Sequence, residues 1–581
     1  MRAPAGTWAP LGQILAGGLL LLLACLLAYQ PALRGGYIWD DLDWIVQNPL
    51  LVEPGGLARI WLEPRAFHQY YPLTNTSFWL EQRLWGQAPA GHHLVNVGLL
   101  ALSATLLWRL LAGLGLRGAF AAALLFALHP IGVESVAWIT ERKNLLSMAL
   151  ALGSLWALLP LLVPAPARPQ DRPGRALLAA GLFLLALLAK TAVAPLPAVV
   201  LVLRAWRHGR AGLGRSWILG LGLPGLVLAG ALSGVTAWME RVEVGATGQD
   251  WALGPVERLL VAGRAAWFYA GQVLVPRQTC FIHPRWALDP SSLAQLAAPV
   301  GALGLLLGLF LARRRLGRGP VTVVALFLGV LSPALGFVDV YAFRFSFVAD
   351  HWAFHATPVL LAALCHAIAG PAARLPGPLR LALVALPALG LLGLTRAQAA
   401  HYVDAETLFG QTTRCNPDAF MAHANLGVLL LDRGQVQQGI GHLSTAHALA
   451  PQDPDITLDL GVALDLSGQD AAAAAHYQAA LGRDPDQGPV LAALADLQAR
   501  SRDPAVRDPL SAVVLAEKAV ALAEARGEAV PSALWATLAQ AQAAAGRREA
   551  ALAAAREGLA AAREEGDHRM VAVFEGMLGG R

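Results

Sequence analysis

The 581-residue sequence predicts an all-α protein in two parts, a polytopic helical membrane domain followed by a solenoid of paired helices. Three observations predict it. Hydrophobic residues make up 56% of the chain and charged residues 14%, where a soluble domain carries roughly a quarter charged. Apolar runs of membrane-spanning length recur from about residue 11 to about residue 397. Beyond that point the composition turns Ala-rich and mixed in charge, and the tail repeats itself at an offset of 34 residues.

The first run covers about 11–28, behind Arg2. Leu22-Leu23-Ala24-Cys25 resembles a lipoprotein cleavage box, yet the run continues through Leu26-Leu27-Ala28 and reads as an uncleaved first span. Further runs lie near 93–113, 118–137, 144–163, 176–190, 192–204 and 216–238, then near 293–311, 320–338, 353–370 and 379–397. That makes about eleven spans in a membrane domain over 1–397. One more run, about 259–275, is broken by Arg264 and rich in aromatics (Trp267, Phe268, Tyr269). Region 239–292 is therefore expected to be an outer segment that is re-entrant or interfacial, tolerable where it is buried in protein or lines a cavity.

The net charge of +5 is a matter of membrane orientation and not of a nucleic-acid partner. Arg109 and Arg117 flank one short connection, and Arg168, Arg172 and Arg175 fill the next alternate one. Arg204, Arg207, Arg210 and Arg215 follow, then Arg313, Arg314, Arg315 and Arg318, then Arg374 and Arg380. With a cytoplasmic N-terminus all of these face the cytoplasm, as the positive-inside rule asks. The long first loop, about 30–92, and the tail then lie on the outer side. Cys25, Cys280, Cys365 and Cys415 are too few and too scattered for a disulfide framework or a zinc site.

In the tail, 398–581, Leu426-Gly427 recurs as Leu460-Gly461, Ala446 as Ala480 and Pro451 as Pro485. That offset is the tetratricopeptide period, with small residues where paired helices touch and proline at the turn. Repeats are expected near 420–453 and 454–487, a third near 488–526 with an insertion from Arg500 to Pro509, and a fourth near 532–565 with Trp535 at the aromatic position. Ala405, Phe409 and Pro417 also keep the register, so the array grows directly out of the last span. Such solenoids offer a concave binding face for a protein.

Four polar clusters fall on the outer side: Asp40-Asp41-Leu42-Asp43, His68 to Asn75, His129 to Asn144, and Arg344 to Trp352. Ionisable groups at membrane depth are costly and are functional candidates by default. Each cluster alone has a plainer explanation: a solvated acidic loop, a Glu141-Arg142-Lys143 ion pair capping a helix, His129-Pro130 ending a span, or Lys190 snorkelling to the interface. Four of them on one face of an apolar domain favour a site. Adjacent Asp40 and Asp41 project in different directions, so one can act as general base while the other orients a partner. Arg142, Lys143 and Arg344 can hold a phosphate. His129, Glu134, Glu141, Tyr70, Tyr71, Asp350 and His351 are further candidates. No metal cage is visible in the pattern, and no obligatory metal is expected.

The segments WDDLDWIVQNP, QYYPLTNTSFWLEQRLWG, LHPIGVESVAWITERKNLLS, FIHPRW and FSFVADHW, followed by the repeats, resemble the transmembrane and tetratricopeptide-repeat-containing (TMTC-like) O-mannosyltransferase family and its bacterial homologues. The resemblance runs through nearly the whole chain in the same order, and the LHPIGVESVAWITERKN stretch is its most specific part. It implies a GT-C-type fold and inverting transfer of a sugar, mannose in the eukaryotic members, from a polyprenyl-phosphate donor to protein Ser/Thr hydroxyls. The family's catalytic carboxylate in the first outer loop falls here on Asp40 or Asp41. The lipid tail would sit among the spans, the repeats would present a polypeptide acceptor, and the membrane would be a bacterial inner membrane with the repeats in the periplasm (or, by analogy, a lumen). Two other readings stay open: a non-enzymatic membrane scaffold, and a transferase acting on a glycan or lipid.

Overall fold

In the computed structural model, residues 10–67, 69–163, 172–209, 213–277, 279–527 and 529–579 are described. Arg2, His68, Arg168 and Arg210, and the side chain of Arg172, lie outside them. Helices dominate, and no strand occurs among the described residues. The chain divides into two units, Met1–Asn416 and Pro417–Arg581.

The first unit opens with α1 (Leu11–Ala28), a connecting loop, α2 (Gly56–Leu62) and α3 (Pro72–Trp85). It continues through α4 (Pro89–Gly113), α5 (Ala119–Ala127), α6 (Gly132–Ala137), α7 (Arg142–Leu162), α8 (Arg172–Ala189) and α9 (Leu196–His208). Next come α10 (Arg215–Trp217), running on into α11 (Leu223–Val242), then α12 (Pro255–Leu274) and α13 (Leu293–Ala312). It closes with α14 (Gly319–Leu331), α15 (Thr357–Ala372), α16 (Gly377–Ala399) and α17 (Ala405–Cys415).

Among the described residues six helical segments are long and apolar enough to cross a membrane: Leu11–Ala28, Pro89–Gly113, Ile139–Leu162, Arg215–Val242, Leu293–Ala312 and Gly377–Tyr402. The other apolar runs form shorter helices. The run at 118–137 is not one span but α5 and α6, parted where Pro130 disfavours helix at His129. His129 settles the break, with Nε2 3.0 Å from the Val273 carbonyl and Nδ1 accepting the Ile131 amide.

The run expected to be re-entrant or interfacial forms a single unbroken helix, α12. Along its length it bonds to irregular segments. Arg258 donates to Gly336 O and to Asp339, and the Tyr269 hydroxyl accepts the Ala349 amide.

Two ends of this unit differ sharply in chemistry. At one end the arginine-bearing turns meet: Arg207 donates to Leu114 O, Arg204 to Leu161 O, and the Arg117 amide to His366 Nδ1. At the other, about 31 Å away along α7, lie Asp41, Glu141, Lys143 and Lys190. Turns far apart in the sequence thus meet at that end.

The second unit is a run of paired helices: α18 (Phe420–Asp432) and α19 (Val436–Leu449), α20 (Pro454–Leu466) and α21 (Asp470–Arg483), α22 (Gly488–Arg500) and α23 (Pro509–Ala525), then α24 (Ser532–Ala544), α25 (Arg548–Glu565) and α26 (His568–Leu578). Glycine recurs where the pairs touch: a Cβ on Gly427 would meet Leu443, and one on Gly461 would meet Tyr477, the same position one repeat later. The division between units falls at Asn416, beyond the compositional boundary at 397, because α17 groups with the first unit although it keeps the repeat register.

Candidate active site

The acidic loop is held by backbone contacts before any side chain is considered. The Gly36 amide donates to Val403 O at 2.8 Å, and a Cβ on Gly35 would press on Ala32 O and Tyr402 O. Trp39 is the one non-glycine residue with positive φ (43°) among the described residues, a conformation costing about 1–3 kcal/mol unless its surroundings enforce it. Here they do: its indole stacks on Trp138 at 5.4 Å and meets the edge of Phe281 at 5.1 Å.

The strained residue sets the direction of its neighbours. Asp41 is fully buried and accepts the amides of Ile38 (3.1 Å) and Thr140 (2.8 Å). Burial pushes its carboxyl up to about 7, against the lowering effect of those two amides. Asp40, half-buried, instead lines a cavity of about 470 Å³ together with Trp39, Trp138, Glu141, Lys143, Lys190, Glu240 and His351. The two adjacent carboxylates therefore serve different surroundings, one in the wall and one facing the cavity.

The cations are arranged differently from the sequence expectation. Lys143 and Lys190 flank Glu141, with Nζ–carboxylate distances of 2.9 and 3.0 Å, and all three line the cavity. Lys190 is thus not a snorkelling residue; it stands between α8 and α9 facing a buried carboxylate. Arg142 points the other way. Its side chain is fully buried, paired with Glu81, and donates to Asn96 Oδ1 (2.7 Å), His92 O (2.9 Å) and Ser77 Oγ (3.2 Å). Successive helical residues diverge by about 100°, so α7 can offer the cavity Lys143 or Arg142 but not both. The next residue, Asn144, adds no cation; its side-chain amide donates to Glu141. Arg344 donates to the Tyr341 hydroxyl at 3.3 Å and is not among the cavity-lining residues. Arg142 is thus directed into the protein away from this cavity, and Arg344 stands between two residues that line it, Phe343 and Phe345.

Two carboxylate–histidine pairs lie beside residues of the wall, and one of their members, His351, lines it. Glu134, fully buried on α6, lies 2.7 Å from His351 Nδ1, and His351 lines the cavity. Asp350 lies 3.0 Å from His283 Nε2; burial pulls that imidazole down, but Asp350 raises it on balance. Tyr71 lines the cavity, while the Tyr70 hydroxyl donates to Trp61 O away from it. His129 is occupied in the break between α5 and α6. Lys190, His355 and Glu240 are cavity residues that sequence reasoning missed. Glu240 takes Gln69 Nε2 at 2.5 Å and the Tyr341 amide at 2.8 Å. The available signal was an ionisable residue at the end of an apolar run.

A second cavity of about 740 Å³, walled by leucines and valines of α4, α7, α9 and α14, shares Ala192, Val330 and His355 with the first. A chamber bearing ionisable side chains and a largely apolar one thus share part of their walls.

Cys280 and Cys415 are paired in a disulfide, a link the scattered cysteines did not foretell. With Asn416 donating to Ile282 O at 3.1 Å, it fastens the cavity-lining pair Phe281–Ile282 to the end of α17.

The tetratricopeptide repeat family matches residues 391–454 and 430–497. A solved tetratricopeptide-repeat protein from Thermus thermophilus aligns with 33% of this chain and 94% of its own, at 20% identity and a TM-score of 0.26. A Caenorhabditis elegans protein named protein O-mannosyl-transferase is 29% identical over 151 residues, 24% of this chain and 22% of that protein. Protein O-mannosyl-transferase Tmtc3 of Drosophila melanogaster is 31% identical over 161 residues, 22% and 17% of the two chains. Protein O-mannosyl-transferase TMTC1 of Mus musculus is 36% identical over 158 residues, 24% and 16%. The matches span about a fifth of the length of these relatives. The chain is therefore an all-α protein with candidate membrane helices and tetratricopeptide repeats, similar over its matched stretches to TMTC-type proteins named protein O-mannosyl-transferases.

Proposed function

We propose that this chain is a membrane glycosyltransferase that moves a sugar, mannose by analogy with the names of its relatives, from a polyprenyl-phosphate donor to a protein hydroxyl on the outer face of the membrane. The observation that carries the reading is the junction of the two cavities. A chamber with carboxylates and two lysines shares the wall residues Ala192, Val330 and His355 with an apolar one, an adjacency that suits a ligand that is sugar and phosphate at one end and hydrocarbon at the other.

In this reading Asp40 takes the proton of the acceptor hydroxyl. The hydroxyl oxygen attacks the anomeric carbon from the face opposite the phosphate, so the configuration inverts. Lys143 and Lys190, spaced by Glu141, hold the phosphate and stabilise its departure. The hydrocarbon lies against the leucines of α4 and α7. Asp41 serves as a wall residue that sets the loop. The repeats bind the polypeptide that brings the hydroxyl.

Sidedness follows from the same reading. The arginine-bearing turns are cytoplasmic, and the acidic loop, the cavity mouth and the repeats are on the outer side. The Cys280–Cys415 pair supports this, since disulfides persist in oxidising compartments such as the periplasm.

The test is transfer itself. The purified full chain, in nanodiscs with polyprenyl-phosphate mannose and a Ser/Thr-rich peptide, is expected to yield glycopeptide by mass spectrometry. If the chain forms no glycopeptide but still captures peptides through its repeats, it is a scaffold. If the sugar appears on lipid or glycan in place of peptide, the acceptor is wrong.

A further inference from the structure

His351 has no role in the mechanism above, yet its setting is built with care. It lies in the helical turn Asp350–Ala353, and the carboxylate of Glu134 is wholly committed to holding it and its neighbour Tyr402. One Glu134 oxygen takes both the His351 amide (2.9 Å) and Nδ1 (2.7 Å), and the other takes the Tyr402 hydroxyl at 3.3 Å. This orients the ring with Nδ1–H toward the carboxylate, so that a ring carrying a proton on Nε2 as well is the imidazolium. Nε2 has no partner among the described residues, on a ring that lines the cavity.

The ring also belongs to the reacting end of that cavity. It meets the edge of Trp138 at 5.9 Å. Trp138 in turn stacks on Trp39, the residue before Asp40, and carries Lys143 Nζ 5.9 Å from its centroid. One indole thus has the base loop, a phosphate lysine and His351 arranged around it.

Charge gives the imidazole something to do. Lys143 and Lys190 are the two lysines of a lining that also carries Asp40, Asp43, Glu141, Glu240 and Asp339, so a bound phosphodiester meets few cations there. When the sugar leaves, that diester becomes a monoester with a second ionisable oxygen, and the cavity holds no third lysine among its lining residues. We infer that His351 is the general acid for the departing lipid phosphate, with Glu134 as its positioning residue; this rests on the transferase reading. The bond from the acceptor oxygen to the anomeric carbon forms as the bond from that carbon to the phosphate oxygen breaks. The acceptor proton goes to Asp40, the Nε2 proton of His351 goes to the released phosphate oxygen, and exchange with solvent resets both groups. The net change is one proton moved from the acceptor hydroxyl to the phosphate.

Other titratable groups face His351: Glu134 and Tyr402, Asp350 with its partner His283, Glu141 with its two lysines, and His355. The test therefore needs two variants. In the full chain, with polyprenyl-phosphate mannose and a Ser/Thr-rich peptide, kcat is measured against pH. The unmodified chain is expected to lose kcat on the alkaline side. His351→Gln is expected to lower kcat on the order of 10²-fold, to lack that alkaline limb, and to leave the donor KM nearly unchanged. Glu134→Gln removes the carboxylate that orients the ring, so kcat is expected to fall with the donor KM nearly unchanged. Transfer that persists in His351→Gln with the limb intact overturns the assignment alone, as does a kcat that Glu134→Gln leaves unchanged. No transfer by the unmodified chain overturns the transferase reading, and this assignment with it.

Discussion

The Asp41 carboxylate accepts the Thr140 amide at 2.8 Å across 99 residues of sequence, joining the acidic loop to the turn that delivers Glu141 and Lys143. The bond makes one structure of the two motifs that stand out most in the sequence. It also gives Asp41 a measurable signature. Its carboxyl is held at about 7 by burial, where the unfolded value is 3.8. The folded chain therefore keeps a proton there that the unfolded chain has already lost, and the stability linked to Asp41 falls as pH rises from about 4 to about 7. Asp41→Asn keeps an acceptor for Thr140 and cannot ionise. Relative to the unmodified chain it should gain up to a few kcal/mol, roughly, between about pH 4.5 and about pH 7.5 in thermal unfolding. A difference that does not change with pH contradicts the buried, protonated Asp41.

Arg142 makes a complementary case. With its guanidinium fully buried against Glu81, Glu81→Gln leaves an uncompensated charge and should destabilise the chain by about 3–5 kcal/mol. Arg142→Lys should be similarly destabilised, because the fork bonds Asn96, Ser77 and the His92 carbonyl together and an ammonium cannot span them. Protein surviving in Glu81→Gln should keep its donor KM. A raised KM with unchanged stability would return Arg142 to the phosphate.

Lys190 is predicted to act on binding. Loss of one charge-assisted contact to phosphate, worth about 1.5–3 kcal/mol, should raise the donor KM on the order of 10- to 100-fold in Lys190→Met. Lys190→Arg should recover much of it. Steady-state kinetics at varied donor concentration separate this from an effect on kcat alone, which would place the lysine elsewhere.

The Cys280–Cys415 link predicts a simple count. Denatured without reductant, the chain should alkylate at Cys25 and Cys365 and not at the other two of its four cysteines. Cys280→Ser should cost about 2–5 kcal/mol of stability and free the segment bearing Phe281 and Ile282. Alkylation at all four positions would remove the support that the disulfide lends to an outer location.

Much of this was legible because it is local or periodic. The apolar runs became helices, and the 34-residue register of Gly427 and Gly461 became helix-pair contacts. What escaped depends on direction and distance. Arg142 and Lys143 look interchangeable in a string, and a rotation of about 100° at the start of α7 separates core from cavity. Lys190 reads as an interfacial lysine until folding sets Glu141 3.0 Å away. Cys280 and Cys415 are 135 residues apart, beyond any spacing rule. Tertiary packing made each of these choices.

The central claim is that Asp40, and not its buried neighbour, is the base. Transfer from polyprenyl-phosphate mannose to peptide should be measured for Asp40→Asn beside Glu53→Gln, an exposed carboxylate of the same loop paired with Arg59. The account predicts a fall in kcat on the order of 10²- to 10⁴-fold for Asp40→Asn at unchanged donor KM, with Glu53→Gln near the unmodified rate. Turnover by Asp40→Asn comparable to that of the unmodified chain would contradict it.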